Sequence, residues 1–63
     1  MFIEVIVLKK FAGDDYFTEI VKLFNFDKVE SINPCDEFLE LELSHGVVKI
    51  KEDYEGLKGK LQG

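Results

Sequence analysis

Arginine and tryptophan are absent from this chain, and cysteine, histidine and proline occur once each. Each shortage excludes something. With Cys35 alone there is no intrachain disulfide, so a fold of 63 residues has to stand on packing and backbone pairing, and a reducing, cytoplasmic compartment fits it best. The lack of arginine and a net charge of -5 argue against direct nucleic-acid binding, which relies on clustered cations. There is no glycine-rich phosphate loop, no serine-centred nucleophile motif and no paired His/Glu arrangement, so neither an enzyme nor a cofactor is expected. The longest apolar stretch, Met1 to Leu8, is too short to span a bilayer, contains Glu4, and is followed rather than preceded by lysines. It reads as a strand, with no membrane partner implied.

Apolar residues, by contrast, are plentiful: 27 of the 63 are Val, Ile, Leu, Met, Phe or Tyr. A domain this small buries only about 60% of the surface its unfolded chain exposes. Part of that apolar surface is therefore expected to lie against another molecule or a second copy. The charge is also uneven. Residues 11 to 48 hold nine acids and two lysines, while each flank carries a small positive excess.

The clearest local pattern is a hairpin. Residues 37 to 43 and 47 to 51 fold onto each other across His45-Gly46 so that Leu43 meets Val48, Leu41 meets Ile50, Glu42 meets Lys49 and Glu40 meets Lys51. Residues 2 to 8 alternate two apolar sets, Phe2, Ile6, Leu8 and Ile3, Val5, Val7, as an interior strand does. Phe17, Ile20, Val21 and Phe24 recur at helical spacing after Asp14-Asp15, which predicts an amphipathic helix ending at Asn25. Phe26 to Ile32 reads as a further strand, pairing Val29 with Leu41 and Ile32 with Phe38, and Asn33-Pro34-Cys35-Asp36 as a turn. Beyond Lys51, Asp53 can cap a short helix carrying Tyr54, Leu57 and Leu61, weakened by Gly56 and Gly59.

The expected architecture is α+β, one domain over residues 1–63 in the order β-α-β-β-β. One amphipathic helix lies on a mostly antiparallel four-stranded sheet, followed by a short helical or irregular C-terminal tail.

Cys35 and His45 are the only candidates for a nucleophile pair, but they fall at opposite ends of the third strand. That is about 25 Å at ~3.3 Å per residue, beyond reach of each other and of a shared metal. What remains is a surface that works by contact. The expected function is a small acidic intracellular protein-interaction module, an inhibitor or regulator, binding a basic protein surface through Asp14, Asp15, Tyr16, Glu19, Glu30, Asp36, Glu37, Phe38 and Glu40. Small size alone points to a phage or mobile-element origin. Two other readings stand beside it: a small-ligand or divalent-metal-binding domain or accessory enzyme subunit using Asp14, Asp15 and Glu19, and a homodimer built on the first strand.

Overall fold

In the computed structural model, which describes residues 1–62, the first strand is where the sequence places it: β1 runs Phe2–Lys9. The sequence marks it as an interior strand, and it has a neighbour on each edge. On one side β2 (Thr18–Asn25) pairs antiparallel along its whole length without a bulge, from Phe2↔Asn25 to Lys9↔Thr18. On the other, β5 (Gly46–Ile50) meets only its far end, through Val7↔Ile50 and Leu8↔Lys49. Where β5 has ended, the Lys51 N–H still donates to the Ile6 carbonyl at 2.7 Å. Ile6 in turn donates its N–H to the Glu52 carboxylate at 3.4 Å, a side chain standing in for the missing strand.

The predicted helix over residues 17 to 24 does not form; those residues are strand β2. Asn25, expected to stop a helix, instead caps one turn of 3₁₀-helix, Phe26–Lys28, by accepting the Asp27 N–H at 3.0 Å. The sheet accordingly has five strands, in the order β2-β1-β5-β4-β3, with β3 at Val29–Pro34 and β4 at Leu39–Leu43. The one α-helix, α1 (Tyr54–Gln62), is the C-terminal segment.

The β4–β5 hairpin forms, but two residues away from the expected register: Leu39↔Ile50, Glu40↔Lys49, Leu41↔Val48 and Leu43↔Gly46, so Ser44-His45 is the loop. A shift of two keeps every side chain on its own face. It also aligns Ile20, Val7, Ile50 and Leu39 in one row across four strands, which the local pairing rule could not foresee. Strand β3 is likewise displaced, with Val29↔Leu43 and Ile32↔Leu41 in place of Val29 with Leu41 and Ile32 with Phe38. A bulge between Val29 and Ser31 turns both Val29 and Ile32 toward the core, although their numbers differ by an odd count.

The registers force the sheet to coil. Laid flat, the end of β2 and the start of β3 would lie about nine ladder positions apart, about 30 Å along the strands at ~3.3 Å per residue, and on opposite edges. The three residues between them reach at most about 15 Å. The stagger must therefore bring the start of β3 round toward the end of β2, so the sheet coils strongly, while β2 and β3 stay unpaired at its two edges. Phe26 plugs the seam, buried, with its N–H donating to the Met1 carbonyl at 2.9 Å and its ring edge-on to Phe24 at 5.5 Å.

Inside lie Val5, Val7, Phe26, Leu39, Leu41, Ile50 and Leu57. Leu57 comes from α1, so the tail is the lid of this core. Asp53 starts the helix as expected, accepting the Gly56 N–H on its carboxylate and the Leu57 N–H on its carbonyl, both at 2.9 Å. No helix among the described residues is long and apolar enough to cross a membrane.

Candidate functional site

α1 covers the inner face, and among the described residues no helix lies on the outer face of the sheet. Along β1 and β2 it presents Phe2, Val21 and Leu23, each about two-thirds exposed, with half-buried Ile6 opposite Val21. Further across, Glu19, Leu8, Lys49, Glu40 and Asn33 stand in one row over all five strands.

Lys49 is the centre of this face. Its ammonium lies 5.3 Å from the Phe17 ring centre and 5.4 Å from that of Phe38, and the Lys10 ammonium also lies over the Phe17 ring, at 5.8 Å. Such contacts are worth about 0.5–1 kcal/mol each at exposed sites. Their geometric consequence is larger. Phe17 is the last residue of the β1–β2 loop and Phe38 the last of the β3–β4 loop, so one ammonium holds the roots of both loops. Those loops carry Asp14, Asp15 and Tyr16 on one side and Asp36 and Glu37 on the other. Tyr16 is 84% exposed. In the first loop Gly13 takes φ +87°, a left-handed conformation that suits glycine, and the Asp14 N–H closes a turn on the Phe11 carbonyl at 3.0 Å. The expected helix start at Asp14-Asp15 is therefore a loop tip.

Of the nine residues singled out from sequence, eight lie on this face or in the two loops rooted in it: Asp14, Asp15, Tyr16, Glu19, Asp36, Glu37, Phe38 and Glu40. Glu30 does not. It sits at the bulge of β3, beside a groove of about 410 Å³ between β3 and α1 that is lined by Phe26, Ile32, Tyr54, Leu57 and Leu61 among others.

The charges on the face are divided in a particular way. Lys51 is held by Glu19 at 2.9 Å, and Lys49 and Lys10 by aromatic rings. Among the described residues, no salt bridge engages Asp14, Asp15, Asp36 or Glu37. Glu42, on the same face, accepts the Ser31 hydroxyl at 3.1 Å. No group of three His, Cys, Asp or Glu side chains among the described residues is placed to hold a metal ion, so Asp14, Asp15 and Glu19 are not gathered into a cation site. Cys35 and His45 stay in the loops at opposite ends of β4.

Sequence reasoning missed Phe17 and Val21 as exposed surface, placing both on the helix stripe, and missed Lys49 as the clamp. Reading residues 17 to 25 with a period of two would have put Phe17, Val21 and Leu23 on one side; nothing local marks Lys49. Comparison with family models, with curated proteins and with solved structures finds no match to this chain, so the functional reading rests on the chemistry of this face.

Proposed function

We propose that this chain is a small acidic protein-interaction module of the cytoplasm, an inhibitor or regulator that binds a basic protein surface through the outer face of its sheet. The observation that carries the reading is the Lys49 clamp, which roots two acidic loops on one apolar face while the lysines of that face are already engaged. Free carboxylates at the rim supply long-range attraction and orientation, and exposed Tyr16, Phe2, Val21 and Leu23 supply apolar contact area. Rim charges of this kind act mainly on the association rate and give it a salt dependence.

The test is affinity capture from a lysate with the parent chain and with two charge-reversed variants, Asp14→Lys/Asp15→Lys and Asp36→Lys/Glu37→Lys. Both variants should lose the same partners, and those partners should be basic proteins. Dissociation constants measured on one purified partner should rise at least about tenfold between low and high salt. Equal recovery by all three chains overturns the proposal.

A further inference from the structure

The outer edge of β2 is the longest stretch of backbone in the molecule with hydrogen-bonding groups left over. All eight residues, Thr18–Asn25, pair with β1 on one side, and β2 ends the strand order on the other. Edge strands are normally blunted by proline, a bulge, short length or clustered charge. β2 has none of these: it holds no proline, its ladder to β1 is unbroken, and Glu19 and Lys22 cancel. By contrast β3, at the opposite edge, is short, bulged, ends in proline and has α1 beside it.

We infer that β2 pairs antiparallel with β2 of a second copy of this chain, making a continuous ten-stranded sheet with Val21 on the two-fold axis. This goes beyond the heterologous contact proposed above and does not depend on it. The occupant follows from charge. A chain of net charge -5 repels its own copies, most of all at the acidic loops, but the β2 strip is neutral, so two copies can approach there.

The register follows from symmetry. A two-fold axis between antiparallel neighbours sets outer face beside outer face, so an odd-numbered residue must oppose an odd-numbered one. Centring on Lys22 would put two ammoniums abreast. Centring on Val21 uses nearly the whole strand and sets Glu19 against Leu23, Ile20 against Lys22 and Thr18 against Phe24, with no like charges opposed. Since Val21 is already beside Ile6, the join would create a four-residue apolar row, Ile6 and Val21 from each copy.

Cross-linking reads both the partner and the register. In a Cys35→Ser background, directly opposed residues of an antiparallel pair have Cα atoms about 4.5–5.5 Å apart, within disulfide range. Val21→Cys should therefore oxidise to a covalent dimer. Leu23→Cys, whose opposite number is Glu19, should stay predominantly a 7.3 kDa monomer. Separately, Val21→Lys should hold the uncross-linked chain monomeric by sedimentation from about 10 µM to about 1 mM, where the parent chain dimerises. Its circular dichroism should be unchanged, because Val21 is 65% exposed. A parent chain monomeric throughout that range, a dimer indifferent to Val21→Lys, or cross-linking at Leu23→Cys equal to that at Val21→Cys would each overturn the inference. Capture experiments with the loop variants are unaffected by any of these results, so failure here is distinguishable from failure of the partner reading.

Discussion

Leu57 is the residue on which most depends for its size. It is 1% exposed, comes from a helix of nine residues, and belongs to one core with Val5, Val7, Leu39, Leu41 and Ile50 of the three adjacent strands β1, β4 and β5 and with Phe26 of the 3₁₀ turn. Truncating a buried leucine to alanine removes its transfer free energy and leaves a cavity, together about 2–5 kcal/mol. A domain of this length has a stability of only about 3–9 kcal/mol at 0.05–0.15 kcal/mol per residue. Leu57→Ala should therefore lower the urea midpoint severely or leave the chain largely unfolded, as read by far-UV circular dichroism. Tyr54→Ala, on the same helix but 38% exposed, should cost far less. Equal losses from the two would mean that α1 is not the lid.

At the scale of elements, the sequence was legible wherever one local pattern had a single solution. β1 and the two faces of the β4–β5 hairpin, though not its register, are of that kind. Residues 17 to 24 were not, because Phe17, Ile20, Val21 and Phe24 satisfy a helical period while Phe17, Glu19, Val21, Leu23 and Ile20, Lys22, Phe24 also satisfy an alternating one. Thr18, Ile20 and Val21 are β-branched, and β1 requires a second partner; that non-local demand decides the matter. The same reason explains why the clamp at Lys49 could not be read: Phe17, Phe38 and Lys49 come together only once five strands are in register. The tail was half legible, since its two glycines argue against a helix and its burial argues for one. Gly59 meets nothing within 4 Å where a Cβ would stand, and its φ is not positive. Gly59→Ala should thus raise stability by about 0.5–1 kcal/mol in chemical denaturation, by restricting the unfolded chain and favouring the helix. A destabilised variant would show that α1 needs the flexibility.

For the whole molecule, the same negative charge acts in opposite directions on folding and on association. Thirteen acids and eight lysines are spread over a body 39 × 23 × 20 Å, so many carboxylates lie within a few Debye lengths of one another at low salt. Folding concentrates them, and among the described residues no salt bridge offsets any of the four acids of the two loops, Asp14, Asp15, Asp36 and Glu37. The ion pairs among the described residues, Met1 ammonium–Asp27, Glu19–Lys51 and Glu52–Lys60, each have at least one well-exposed partner and contribute little. Added sodium chloride should consequently screen more repulsion than attraction and stabilise the free chain by a few tenths of a kcal/mol, raising Tm by about 2 °C. Under the proposed function, complex formation with a basic partner would use the unscreened field of the same loops, so its affinity should fall over the same range. Thermal melts and binding isotherms on one salt series would read the two slopes, and the charge reversal Asp36→Lys/Glu37→Lys should flatten both together. If it flattened only the melting slope, the β3–β4 loop would contribute to self-repulsion without facing the partner, and the contact face would have to be drawn around Asp14, Asp15 and Tyr16 alone.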